Sequence, residues 1–267
     1  MSRAPAVAGR FYPGRPEELK VMIQQYLDPG AEPQPALAVV CPHAGYVFSG
    51  SVAGKVFSRV AIPRRVVVLG PNHQGLGERA AVMTRGSWRT PLGDVPLDSL
   101  LGAELLARSG LVREDDLAHQ YEHSLEVQVP FLQVLRPDVL LTPLCLSMLT
   151  DEQCAQLGRD LAGAIQSLGE AVLMVASTDM THYESAQSAQ AKDQLALEKV
   201  LALDPQGLYN TVASRRISMC GFLPTTVALT AALELGATSA ELVAYTHSGM
   251  VTGDDDQVVA YAGLIIK

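Results

Sequence analysis

At 267 residues, 48% hydrophobic and 18% charged, the chain can bury a sizeable core and has the composition of a compact globule. Its net charge of −8 argues against unspecific nucleic-acid binding, and no apolar run approaches the roughly 20 residues that a membrane-spanning helix needs. Residues 1–10 hold no secretory-type apolar stretch and the four cysteines (Cys41, Cys145, Cys154, Cys220) form no CxxC pair, so the expected setting is reducing and cytoplasmic, with free thiols.

Residues 4–14 are too irregular to assign. A first helix is predicted from Pro16, a favourable first-turn proline, with Leu19, Met22, Ile23, Tyr26 and Leu27 on one face and Asp28-Pro29-Gly30 as its stop. Residues 36–40 form an apolar run of strand length. Pro42 breaks it, which leaves His43 in the turn beyond its carboxyl end. The small residues at 50–59 suggest a helix lying close to a sheet. Residues 65–69 read as a second buried strand ending in Gly70-Pro71-Asn72-His73, and 80–84 as a third. A long loop over 86–96 carries the only tryptophan, Trp88. Asp98 caps a helix to Arg108, and Ser124 is a natural N-cap for another through Leu125, Gln128, Phe131, Leu132 and Leu135.

Residues 139–146 read as a strand in which Pro143 implies an edge or a bulge. Asp151 is expected to cap an amphipathic helix that Gly169 ends, and 171–176 is a short buried strand leading into Ser177-Thr178-Asp179-Met180-Thr181-His182. Helices over 186–203 and 223–235 flank a shorter one opened by Asp204-Pro205. Strands over 241–246 and 257–266, with a turn at Gly253-Asp254-Asp255-Asp256, finish the chain. The alternation predicts an α/β fold over residues 1–267: a single domain, a mostly parallel central sheet and helices on both faces, with antiparallel pairing from the last two strands.

In open α/β sheets, functional residues gather beyond the carboxyl ends of the strands. His43, His73, Asp179, His182 and His247 each follow a predicted strand. One such histidine is ordinarily a surface residue, but several at equivalent positions point to a shared site of the metal type. His123, next to Ser124 at a helix entry, suits an anion or a substrate oxyanion, the plain alternative being a surface histidine in a capping turn. His119 is expected to be exposed. Cys220, before Gly221 and a helix, is either a thiol of lowered pKa at a helix N-terminus or a buried inert one. No P-loop, GxGxxG turn, GxSxG elbow or HExxH pair occurs.

Five stretches, in order, resemble the motifs of the Memo family, whose bacterial and archaeal members are often called AmmeMemoRadiSam system protein B. They are Pro42-His43-Ala44-Gly45-Tyr46, Leu69-Gly70-Pro71-Asn72-His73, Glu122-His123-Ser124-Leu125-Glu126, Ser177-Thr178-Asp179-Met180-Thr181-His182 and Cys220-Gly221. With Tyr261-Ala262-Gly263 near the C-terminus, the resemblance covers essentially the whole chain. Asn72 stands where the family has serine. The resemblance implies a fold similar to the class III extradiol dioxygenases and a mononuclear metal held by His43, His73 and Cys220. It also implies catalytic roles for His182 and Asp179, with Asp179 orienting the His182 ring, His123 nearby and Tyr46 at the pocket mouth.

Two histidines and a thiolate suit iron(II), which the resemblance favours, and also copper or zinc, of which copper generally wins on affinity. The implied function is a dioxygenase-like oxidoreductase acting on an unknown small-molecule substrate. One alternative is a non-catalytic module whose metal pocket holds an anionic or phosphorylated peptide, which the lack of an arginine cluster weakens. Another is a metal-assisted hydrolase with bound water as nucleophile. Family association implies AMMECR1-like and radical SAM proteins as partners.

Overall fold

The computed structural model describes residues 2–267. Its strands are Ser2–Arg3 (β1), Ala38–Cys41 (β2), Arg65–Pro71 (β3), Ala80–Val82 (β4), Ser87–Thr90 (β5), Gly93–Pro96 (β6), Arg113–Glu114 (β7), Leu140–Leu146 (β8), Val172–Ser177 (β9), His182–Glu184 (β10), Ala240–His247 (β11) and Val258–Ile266 (β12). The helices are Pro16–Tyr26 (α1), Tyr46–Ser58 (α2), Ser99–Arg108 (α3), Val129–Leu135 (α4), Asp151–Leu168 (α5), Ala186–Leu201 (α6), Pro205–Arg215 (α7), Phe222–Glu234 (α8) and Gly249–Thr252 (α9).

The large sheet runs β10-β12-β2-β9-β3-β8-β4-β7, with β11 also paired to β12. Its centre, β2-β9-β3-β8, is parallel throughout. Both flanks reverse, because β12 runs antiparallel to β2 and β4 antiparallel to β8, so the sheet as a whole is mixed. This is an α/β domain with helices on both faces, as the sequence predicts.

The strands show why both faces are covered. Ala38, Val40, Val67, Leu69, Met174 and Ala176 point into one apolar layer, against α5 and α8. Val39, Cys41, Val66, Val68, Leu173 and Val175 point into the other, which α1, α2 and α4 supply with Leu19, Phe57 and Phe131. The period of two is that of a strand, and apolar residues in both phases are what a doubly buried parallel sheet requires. Each Val, Leu, Met or Phe among these side chains contributes about 1.5–3 kcal/mol when taken out of water, and the alanines less.

Several local expectations need correcting. Residues 86–96 are not a loop but the hairpin β5–β6, in which Trp88 opposes Val95 and Gly93 turns the chain at φ 119°. β8 is an interior strand despite Pro143. That proline faces Val68 on one side, and the partner on the other side has already ended, because Val82 lies opposite Leu144. The helix expected from Ser124 begins only at Val129, after a 3₁₀ turn over Glu126–Gln128, with Pro130 in its first turn. The Ser124 hydroxyl does not cap it but donates to the Pro71 carbonyl at 2.9 Å. Between β11 and β12 lies the short α9 rather than a simple turn.

Candidate metal centre

Three parallel strands deliver the site. Cys41 at the end of β2 lies opposite Ser177 at the end of β9, and β3 ends beside them at Pro71. The chain turns at each point, so His43, Asp179 and His73 emerge together on the carboxyl rim. Residues 119–128 come in across this rim. Gly70 permits that approach, since a Cβ there would meet Leu125 Cδ1 and Ser124 Oγ, each at 2.6 Å.

His43, His73 and His123 each place a ring nitrogen within 4.8 Å of the other two. The His73 and His123 rings stack at 4.7 Å between centroids, and His43 stands edge-on to both. Exposure is graded: His43 is 1% exposed, whereas the His123 and His73 side chains are 20% and 31% exposed.

The hydrogen bonds fix which nitrogen each ring offers. Ser177 Oγ donates to the Ser124 carbonyl at 2.6 Å, so it must accept from Gln128 Nε2 and from His43 Nδ1, both at 2.9 Å. His43 therefore carries its proton on Nδ1 and presents the Nε2 lone pair, 3.3 Å from Cys220 Sγ. His73 gives Nδ1–H to Glu122 Oε1 at 2.8 Å, which also frees its Nε2. His123 Nδ1 lies 3.3 Å from the same oxygen.

Glu122 thus serves two rings at once and is itself completely buried. Its carboxylate also accepts the amides of His73 at 2.6 Å and of His123 and Ser124, each at 2.9 Å. Burial alone would raise its pKa, but these donors outweigh it and hold the group at about 2. The amides that the sequence reading offered to an anion beside His123 are taken by this side chain. In the sequence Glu122 is one letter of a motif, with no role that its position alone implies. The available signal was a carboxylate directly before a histidine, a common way to orient an imidazole.

Burial, then the neighbouring histidines, holds His43 well below the ordinary imidazole value, and burial lowers His123 despite Glu122. Both stand neutral, as ligands must be. Cys220 is brought close by Gly221, where a Cβ would run into the Ser177 carbonyl and the Thr178 side chain. The Asp179 amide points at Cys220 Sγ at 3.2 Å, and Thr178 Oγ1 lies at 3.8 Å. Burial and the Asp179 charge nevertheless raise the thiol pKa, so the lowered value considered from its place before a helix does not hold.

Asp179 does not orient the His182 ring. Its Oδ1 accepts the amides of His43 at 2.8 Å and Ala44 at 3.3 Å, and burial raises it to about 6. The His182 Nδ1–H is held by the Ser218 carbonyl at 2.9 Å, which leaves Nε2 free on a half-buried ring. Tyr46 is not at a pocket mouth. It is 1% exposed, packs on Phe131 and donates to the Val127 carbonyl at 2.7 Å. His119, expected at the surface, is fully buried with its Nε2 on the Ala81 carbonyl. His247 lies apart from the cluster, 3.6 Å from Asp255.

The Memo-like protein family matches residues 3–265. This chain belongs to the Memo-like family. A MEMO1 family protein of Methanopyrus kandleri is 43% identical over 281 residues, covering 100% of this chain and 99% of the relative. Memo relatives from Methanosarcina mazei and Aquifex aeolicus are each 41% identical, over 99% and 98% of this chain and the same shares of their own. An uncharacterized protein of Escherichia coli K12 shares the fold, with a TM-score of 0.58 at 16% identity over 85% of this chain and 99% of that one.

The Memo chain's own residues fit a metal ion. Three imidazoles share one small space, His43 and His73 each anchored through Nδ1 so that Nε2 is left free, and a sulfur lies beside them. That is the donor chemistry of iron, copper and zinc sites, with the oriented imidazoles such sites need. No helix of the described residues is long and apolar enough to cross a membrane.

Proposed function

We propose that this Memo-like protein is a mononuclear non-haem metal oxidoreductase of dioxygenase-like type, acting on a small oxygenated substrate. The observation that carries the reading is the cluster of three imidazoles beside Cys220. Iron(II) is the favoured metal, and copper and zinc suit the same donors. His43 and His73 are two ligands and Cys220 is the third, with the Asp179 N–H placed to support a thiolate. His123, stacked on His73, then faces the substrate. A bound metal would supply redox and Lewis-acid chemistry toward an oxygenated ligand.

The other steps fall to the chain's own side chains. Cys220 is protonated as it stands, so ligation requires that proton to leave. His182, with Nδ1–H fixed on Ser218 and Nε2 free, moves a proton between substrate and solvent. Asp179 holds the turn at His43 and Ala44, which keeps the innermost imidazole in place.

The test is anaerobic loading with iron(II), followed by oxygen uptake with a panel of catechols and related small substrates. His43→Ala, His73→Ala and Cys220→Ala should each lose the metal, whereas His182→Ala should keep it and lose turnover. Unchanged metal content in the first three would remove the site assignment. Metal binding without uptake for any substrate would favour a non-catalytic pocket. One observation favours a second ligand set, since His123, unlike Cys220, belongs to the compact group of ring nitrogens. In that case His123→Phe loses the metal and Cys220→Ser retains it.

A further inference from the structure

The outer wall of the site is built from residues far away in sequence. Arg3, 7% exposed, reaches into residues 119–126 with its whole guanidinium. Nε donates to the His119 carbonyl at 2.6 Å, Nη2 to the Glu122 carbonyl at 2.6 Å and Nη1 to Glu126 Oε2 at 2.7 Å. Its other surface lies 4.1 Å from the centre of the Trp88 ring. Glu126 is fully buried and accepts three further hydrogen bonds, all from the same segment: Ala6 N–H at 2.7 Å, Val7 N–H at 3.1 Å and Tyr12 Oη at 2.6 Å.

Residues 3–12 therefore form a strap fastened to the underside of the histidine loop. At its far end the Phe11 ring lies 4.8 Å from the His123 ring, and the Phe11 carbonyl accepts the Tyr46 amide at 2.8 Å. One of the two carbonyls gripped by Arg3 is that of Glu122 itself, whose carboxylate orients His73 and touches His123. A buried ion pair is weak evidence for stability, since apolar residues of similar volume often serve as well; its best-attested use is to fix one arrangement among several. Here that arrangement is the one that sets two of the three imidazoles.

We propose that Arg3 and Glu126 are positioning residues of the histidine cluster, and that the strap over residues 3–12 is a working part of the site. The pair sets the height and tilt of residues 119–126, and through Glu122 it sets where the nitrogens of His73 and His123 converge. The metal-affinity part of this inference rests on the reading proposed above. The geometric part does not.

The molecule carries its own control. Arg65 and Asp98 form another buried ion pair, 2.5 Å apart, where Arg65 begins β3 at the edge away from the site. The experiment compares full-length wild type, Glu126→Gln, Tyr12→Phe and Asp98→Asn. Long-range proton–nitrogen spectra of the imidazoles in metal-free protein read ring position, cobalt(II) titration reads affinity and visible absorption, and thermal unfolding reads the fold.

Glu126→Gln should displace the His73 and His123 resonances, leave that of His247 in place, weaken cobalt(II) binding by about tenfold or more and alter its visible bands. Tyr12→Phe should do the same to a smaller extent, and it decides the matter if Glu126→Gln does not fold. Asp98→Asn should lower the unfolding temperature while leaving resonances and bands unmoved. Unchanged His73 and His123 signals in the folded Glu126 or Tyr12 variant would overturn the proposal, as would equal displacement in Asp98→Asn. Should wild type bind no cobalt while the resonances still shift as stated, the metal reading fails and the positioning role stands.

Discussion

Two histidines lie inside this molecule, His43 at 1% and His119 at 0% exposure, and burial drives both toward the neutral form. They adopt opposite tautomers. His119 gives Nε2–H to the Ala81 carbonyl, sits edge-on to Trp88 and leaves Nδ1 without a partner among the described residues. His43 gives Nδ1–H to Ser177 and turns Nε2 toward two other imidazoles and a thiol. A depressed pKa therefore does not distinguish a ligand from a packed core residue in this fold. What distinguishes them is where the free lone pair points and what else points there.

The largest expected contrast is metal content. His43→Ala should abolish metal binding, whereas removing the His119 ring should leave metal content intact. His119→Ala opens a cavity beside Trp88 and should cost about 2–4 kcal/mol, read from denaturant unfolding. Equal metal loss in both variants would erase the distinction. Glu122→Gln comes next. It keeps the shape of the group but weakens the orientation of two rings, so metal affinity should fall about 10–100-fold in an isothermal titration.

Acid sharpens the comparison further. The unfolded His119 takes up a proton near its ordinary 6.5, while the folded one resists until about 3. The stability tied to its neutral burial is complete above pH 6.5 and is lost progressively as the pH falls toward 3, about 2 kcal/mol of it by pH 5. His119→Phe should remove that part of the acid slope, measured as the urea-midpoint difference between pH 7 and pH 5. The smallest effect belongs to Tyr46→Phe. Losing the bond to the Val127 carbonyl should cost about 1 kcal/mol, with no change in metal affinity, and a marked affinity change would return Tyr46 to the site.

The rim itself was legible in the chain. Apolar runs of strand length end just before His43, His73 and Asp179, and a parallel sheet gathers such ends on one edge. The supports of the rim were much less visible. Glu126 stands between Leu125 and Val127, and a lone charge in an apolar run is a usable sign of a buried, paired carboxylate. Arg3 carries no such sign, because its partner is 123 positions away and local pattern says nothing about it. His119 was misplaced for the same reason, since Ala81 and Trp88, which enclose it, reach it only through tertiary folding. The role given to Tyr46 came from its place in a motif. Its side chain points with the core-facing side of α2, which neighbouring letters do not reveal.

The Ser177 hydroxyl stands at the junction of this rim, and its hydrogen is the smallest moving part of the site. Aimed at the Ser124 carbonyl, it gives the chain of hydrogen bonds a direction, from imidazole to hydroxyl to backbone. If that carbonyl moved away, the hydroxyl would be free to turn and donate to Nδ1 instead. The inner imidazole would then carry its proton on Nε2 and present a positive hydrogen where a cation needs a lone pair. The tautomer that His43 offers is therefore linked to the rotation of one O–H bond, which the backbone of the His123 loop holds in place.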